Sequence, residues 1–200
     1  MSEWGGHLSV MTIVQIGCND GKDHVLDFCL KNKDNIEEIH LVEPNPEALE
    51  DCKQTYSDFK QAKFHNLAIV PNDVESINLH IPQVKSLNGH ASTITNHLSA
   101  HGHTGFNTIN VSASTLVDFF DSNKITKCNR LYMDTEGLDC EIILGLDFQK
   151  YKIGRIEFEI LHTDGVFTKG QKHSSCVEGL TALGYRPTDA GQYNEAYEIC

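Results

Sequence analysis

The residues able to do chemistry sit in four short stretches. VQIGCNDG (14–21) sets Gly17 and Gly21 four positions apart around Cys18, Asn19 and Asp20. LVEPNP (41–46) places Glu43 at the end of an apolar run, 22 positions after Gly21. MDTEG (133–137) carries Asp134 and Glu136, and EFEILH (157–162) carries Glu159 and His162. A glycine turn that opens a helix offers unpaired backbone N–H groups and a positive dipole end, which favour a carboxylate or phosphate. An acidic side chain ending the next strand can accept hydrogen bonds from both hydroxyls of a ribose. In this order the two features point to a nucleoside-bearing ligand.

The glycine spacing and the charge narrow the choice. G-x-x-x-G lacks the central glycine that admits a pyrophosphate in G-x-G-x-x-G, which disfavours NAD, FAD and a small NAD-dependent reductase. S-adenosylmethionine brings a carboxylate for the turn, a ribose for Glu43 and a sulfonium cation that an acidic, dry cleft stabilises. Methyl transfer from such a cofactor to an acceptor that is a hydroxyl would also need a base. His162 at a strand end suits that role, with Glu159 to orient it or to bind a substrate hydroxyl. Asp134 and Glu136 offer a different route, as oxygen ligands of a divalent cation that lowers the hydroxyl pKa.

These stretches need elements that bring them together. VMTIVQI (10–16) is a β-branched apolar run that predicts a buried strand, and Lys22 to Lys33 shows Val25, Leu26, Cys29 and Leu30 at helical spacing. EEIHLVEPNP predicts a second strand, with Pro46 opening a helix that carries Ala48, Leu49 and Cys52. KFHNLAIV and ESINLHIP predict a third and a fourth strand, pairing as an extra hairpin at a sheet edge. Residues 83–110 lack periodicity and predict a long loop that shapes the acceptor pocket. Ser112 to Asp121 predicts a helix capped by Ser114, followed by strand RLYMD, helix EGLDCEIILGL and strand GRIEFEILH. A helix over Ser174 to Leu183 and short strands near Tyr185 to Pro187 and Ala196 to Ile199 complete the chain. Alternating strands and helices predict a mostly parallel sheet covered on both faces, with the ligand over the carboxyl ends of its strands.

Composition bounds the function. The 200 residues suit one domain spanning 1–200, and 16 basic against 28 acidic residues give a formal net charge of −12, which argues against nucleic acid. No apolar run approaches a membrane span and the N-terminus lacks a basic segment followed by a long apolar one, so the chain reads as cytoplasmic. Seven scattered cysteines without a C-x-x-C pair read as reduced thiols. His97, His101 and His103 cluster in NHLSAHGHTGF, a segment that reads as a polar loop rather than a metal site. Composition sets neither the oligomeric state nor the acceptor.

Taken in order, VQIGCNDG, LVEPNP, HNLAIV, STLVDFF, RLYMDTEGLDCEIILGL and IEFEILH resemble the landmarks of FkbM-type S-adenosylmethionine-dependent methyltransferases, from about Val10 to about His162. The D-x-E-G block before an apolar helix is the most specific of them. The resemblance implies a Rossmann-like class I methyltransferase fold, α/β, with a mostly parallel central sheet, helices on both faces and an antiparallel C-terminal edge strand. It also implies O-methylation, often of sugars or natural products. Carried over residue by residue, it assigns Gly17, Cys18, Asn19 and Gly21, with Asp20 between them, to the methionine moiety. Glu43 holds the ribose beside Pro44 and Asn45, and Asn66, Leu67 and Ala68 flank the adenine. Asp134 meets the cofactor's amino end or the substrate, and Glu136 follows at a helix start. The first position of the glycine motif is commonly acidic in the family and here is Gln15, an amide that can orient the loop without supplying charge. Gln15 and the short chain leave an alternative, a non-catalytic nucleoside-binding domain serving as an assembly partner.

Overall fold

The computed structural model describes residues 10–83, 91–93, 98–99, 102–103, 105–191 and 193–199. Ten strands, five α-helices and one short 3-10 helix (Lys33–Asn35) are resolved among them. The central sheet contains β1 (Met11–Ile16), β2 (Ile36–Val42), β3 (Ala62–His65), β7 (Lys127–Met133), β8 (Lys152–Glu159), β9 (Tyr185–Thr188) and β10 (Asn194–Ile199). Their order is β3-β2-β1-β7-β8-β10-β9. All neighbours from β3 to β8 are parallel, and β10 runs antiparallel to both β8 and β9. The antiparallel strand therefore enters the sheet one place in from the margin and leaves β9 at the edge. Strand order reverses at β1, so the crevice at its carboxyl end is the expected ligand position.

Period-two alternation sends the two sides of each strand to different cores. Ile13, Ile39 and Leu41 pack with Val25 and Cys29 of α1 (His24–Lys31) and with Leu49 and Cys52 of α2 (Pro46–Thr55). Val14, Ile16 and Val42 turn the other way, onto Phe119 and Phe120 of α3 (Leu116–Ser122), Ile142 and Ile143 of α4 (Asp139–Leu144) and Leu180 of α5 (Gln171–Ala182). The helix starts are chemically defined. Asp23 accepts from Val25 N and Leu26 N, Asn45 accepts from Glu47 N with Pro46 at the first helical position, and Thr115 accepts from Asp118 N.

Three local expectations are corrected. KFHNLAIV is two strands, because the chain leaves the central sheet after β3 and Ala68–Ile69 (β4) joins a second sheet ordered β4-β6-β5. ESINLHIP (within it β5, Ser76–Pro82) pairs antiparallel with β6 (Phe106–Ser114), a segment read from sequence as loop and helix start, and not with KFHNLAIV. Its polar outward face of Thr108, Asn110 and Ser112 hides the alternation of Ile109, Val111 and Ala113, which cover a small core with Leu79. With Ser112 to Ser114 in that strand, the cap of α3 is Thr115 rather than Ser114.

The two glycines of VQIGCNDG are each required by close protein neighbours. Gly17 has φ +77°, and a Cβ there would meet the Asp134 carbonyl oxygen at 1.9 Å. Gly21 has φ +73°, and a Cβ there would meet Cys52 Sγ and Tyr56 at 2.9 Å. Side chains at both positions are excluded by neighbouring protein atoms. Gly17→Ala therefore combines left-handed strain with a backbone clash and should lower stability by at least ~2 kcal/mol, read as a lower urea midpoint with an unchanged slope. An unchanged midpoint would mean that the β1–β7 junction is looser than described.

Candidate functional site

A cavity of about 220 Å³ lies at the carboxyl ends of β1, β2 and β7. Gly17, Cys18, Asn19 and Asp20 form one wall, and Glu43 and Pro44 form a second. Leu67, Ala68, Ile69 and Leu79 provide an apolar side. Asp134 and Glu136 close the end beyond β7. Ten of the residues singled out from sequence thus surround one space. Gln15, Gly21, Asn45, Asn66, Glu159 and His162 are not on its lining.

Hydrogen bonds lock the walls. Glu43 Oε2 accepts from Asn19 N at 2.9 Å and Oε1 accepts from Asn45 N at 2.8 Å. Asn66 Nδ2 donates to the Glu43 and Pro44 carbonyls, which bends the chain away after β3. Gly17 N and Cys18 N both donate to Val42 O, and Gly21 N donates to Cys18 O. Asp23 caps α1. The expected cradle of free turn amides for a ligand carboxylate is corrected accordingly, since the N–H groups of Gly17, Cys18, Asn19 and Gly21 are already engaged within the protein. Lys22 is the cation on the lining, 3.2 Å from Asp20.

Two cavity residues other than glycine hold left-handed backbone, Asn19 at φ 46° and Glu136 at φ 55°. Such conformations persist only where surrounding contacts enforce them. Asn19 is held by Glu43. The loop of Glu136 is held by Asp139, a fully buried carboxylate that accepts from Thr135 N and, at 2.8 Å, from Thr135 Oγ1. Asp139 and Thr135 carried no sequence signal of their own, whereas Ala91 to Thr93 reach the cavity from within the loop expected to shape the acceptor pocket.

The electrostatics are one-sided. Burial pushes Glu43 up to about 7 against the opposing N–H groups of Asn45 and Asn19, and burial with the nearby Asp139 carboxylate pushes Asp134 up to about 7. Glu136 rises to about 9 through burial and the charges of Asp134, Glu159 and Asp139. Burial also lifts Asp139 to about 6 and Glu159 to about 8. Among the described residues no lysine or arginine pairs with Glu43, Asp134 or Glu136. Such a site is complementary to a cation.

Glu159 and His162 stand behind Glu136. His162 Nε2 lies 3.9 Å from Glu136 Oε2, and its Nδ1 accepts from Phe167 N at 3.2 Å. An imidazole whose Nδ1 accepts carries its proton on Nε2, so His162 as placed presents no lone pair to the cavity. Glu159 is buried and receives Leu161 N on one oxygen. Among the described residues no three His, Cys, Asp or Glu side chains converge to hold a metal ion, so Asp134 and Glu136 gain no third protein ligand. His97 and His101 lie outside the described residues. No described helix is long and apolar enough to cross a membrane.

The family model described as methyltransferase FkbM domain matches residues 15–187. The chain is similar in structure to methyltransferase FkbM from Methylobacillus flagellatus KT, with a TM-score of 0.53 and 13% identity. The match covers 98% of this chain and 45% of that one, so this chain spans a little under half the length of its relative. It is also similar to a chain of a fibrillarin/Nop5p complex, with a TM-score of 0.51 and 10% identity over 94% of this chain and 71% of that one. No curated protein matches it. At these identities the two structures bear on the fold alone, an α/β fold with a mostly parallel sheet of the class I methyltransferase kind.

The buried carboxylates set a pH dependence. The folded-state pKa values of Glu43, Asp134, Glu136, Asp139 and Glu159 lie above ordinary ones, so the folded protein keeps protons that the unfolded chain has lost. The associated stability is complete below about pH 3.8 and declines as pH rises toward 9, each proton contributing ~1.4 kcal/mol per pH unit in its window. Without ligand, the urea midpoint should be lower at pH 8.5 than at pH 5.5. Equal midpoints would show that these carboxylates are solvated.

Proposed function

The chain belongs to the methyltransferase FkbM family, whose cofactor is S-adenosylmethionine, and from that premise we propose that it transfers a methyl group to a hydroxyl of a small molecule or sugar. The observation that carries the proposal is the convergence of the Gly17 to Asp20 turn, Glu43, and Asp134 with Glu136 on one cavity, where among the described residues no lysine or arginine pairs with Glu43, Asp134 or Glu136. When bound, S-adenosylmethionine supplies an electrophilic methyl group on a sulfonium cation.

The residues present fit it. Two of the roughly four lone-pair positions of the Glu43 carboxylate are engaged by Asn19 and Asn45, leaving capacity for two ribose hydroxyls. Leu67, Ala68, Ile69 and Leu79 offer the apolar wall that an adenine requires. Asp134 and Glu136 complement positive charge in a space where water screens weakly, and Lys22 is the counter-charge available to a carboxylate. Pro44 shapes the ribose side, while Asn45, Asn66 and Gly21 act from outside the lining by fixing the strand ends. Glu159 and His162 stand behind Glu136, and the Glu159 charge adds to the burial that keeps Glu136 protonated. Positioning and charge do most of the work in such a displacement.

Titration calorimetry tests this reading. S-adenosylhomocysteine should bind and NAD should give no heat. Glu43→Ala should weaken S-adenosylhomocysteine binding by about tenfold or more, the loss expected for two hydrogen bonds to a charged acceptor, with the far-ultraviolet dichroism of the wild type. Heat with NAD and none with S-adenosylhomocysteine would refute the proposal.

A further inference from the structure

A second cleft, of about 180 Å³, opens beside the first on the α1 side of the sheet. The two share Gly17, Asp23 and Asp134 on their linings, so they meet at the carboxyl end of β1. Gln15 faces this second space. It is 4% exposed, its Nε2 donates to Asp23 Oδ2 at 2.6 Å, and its Oε1 has no hydrogen-bond partner. A buried amide oxygen left without a donor is costly unless a ligand supplies one.

His24, the first residue of α1, stands on the same lining with its side chain about half exposed. Its Nε2 is 2.9 Å from Glu157 Oε1. Glu157 is itself fixed, accepting from Arg155 at 3.0 Å and from Asn194 Nδ2 at 3.2 Å. The Tyr132 ring meets the imidazole edge-on at 5.7 Å. With Nε2–H directed to a carboxylate, the lone pair of His24 resides on Nδ1. A histidine oriented by a held carboxylate, beside an amide oxygen and an aromatic ring, has the chemistry of a hydroxyl-binding general base.

We propose that this second cleft is the acceptor site and takes a polyhydroxylated ring compound, with His24 as general base, Glu157 as the residue that positions it and Gln15 Oε1 as acceptor for a second hydroxyl. The proposal rests on the methyltransferase reading and extends it to a site that reading leaves unassigned. His24 Nδ1 takes the proton of the acceptor hydroxyl while that oxygen forms the new bond to the methyl carbon. The electron pair of the broken carbon–sulfur bond stays on sulfur, which leaves as a neutral thioether, and the imidazolium is held by Glu157. The charged and titratable groups around His24 are Glu157 and Arg155 on β8, Asp23 before α1, and Tyr132 and Asp134 on and after β7. The hydrogen bond to Glu157 raises the His24 pKa against the effect of burial.

The test uses the whole protein loaded with S-adenosylhomocysteine and, as probes, the methyl glycosides of glucose, mannose, galactose and rhamnose. In side-chain 15N spectra a bound glycoside should shift the His24 imidazole and Gln15 amide signals. With methyl-labelled S-adenosylmethionine the same glycoside should be methylated. His24→Ala should lower kcat about a hundredfold with S-adenosylhomocysteine affinity unchanged, and Gln15→Leu should raise the glycoside KM about tenfold. Glu157→Gln should lower kcat and move the acidic limb of the rate profile to lower pH, a shift that a merely structural role would not produce. Undiminished transfer by His24→Ala, or a wild type that binds S-adenosylhomocysteine yet neither binds nor methylates any of the four glycosides, overturns the acceptor site and leaves the cofactor reading standing. Failure to bind S-adenosylhomocysteine removes the cofactor reading, and this proposal with it.

Discussion

Two backbone N–H groups, of Asn19 and Asn45, converge on the carboxylate of Glu43, and the shape of the cavity depends on that junction. One partner belongs to the turn after β1 and the other to the start of α2, so a single side chain ties the first two β-α connections to each other. Without it, Asn19 would have no enforced reason to keep left-handed backbone, and the turn would lose the register that brings Asp20 and Asp134 to one space. The junction is buried, so breaking one of its bonds leaves a polar group that water does not reach.

The same burial makes the site electrostatically unsatisfied. Glu43, Asp134 and Glu136 are desolvated together, and the charge of Asp134 makes ionisation of the other two harder. Holding acids in this state opposes folding at neutral and alkaline pH, while a ligand cation reverses the sign of their contribution by stabilising the charged forms. A site of this kind discriminates a sulfonium from a neutral thioether by charge rather than by shape. The formal net charge of −12 adds a weaker, longer-ranged pull in the same direction.

Much of this organisation was legible in the residues, and the failures have physical causes. The strand–turn–helix order around VQIGCNDG, the position of Glu43 and the D-x-E-G block placed three segments at one cavity, because apolar runs and glycines report backbone geometry directly. What the turn amides do was not legible. The reading assigned them to a ligand, whereas Val42 and Glu43 take them, and a hydrogen bond between distant segments leaves no local pattern. The need for glycine at position 17 comes from the Asp134 carbonyl, 117 positions away in the chain. Asp139 resembled any first-turn helix acid, and His24 resembled an ordinary first-turn helix residue, since its partner Glu157 is 133 positions away. His162 stood out by type and position, and Phe167 N engages the nitrogen that would have mattered.

The most direct measurement is a crystal structure grown with S-adenosylhomocysteine. The account predicts ribose hydroxyls on Glu43, adenine against Leu67, Ala68 and Ile69, and the sulfur facing the place where the two clefts meet beside Gly17 and Asp134. A nucleoside bound elsewhere, or Glu43 turned away with its bonds to Asn19 and Asn45 broken, would contradict it.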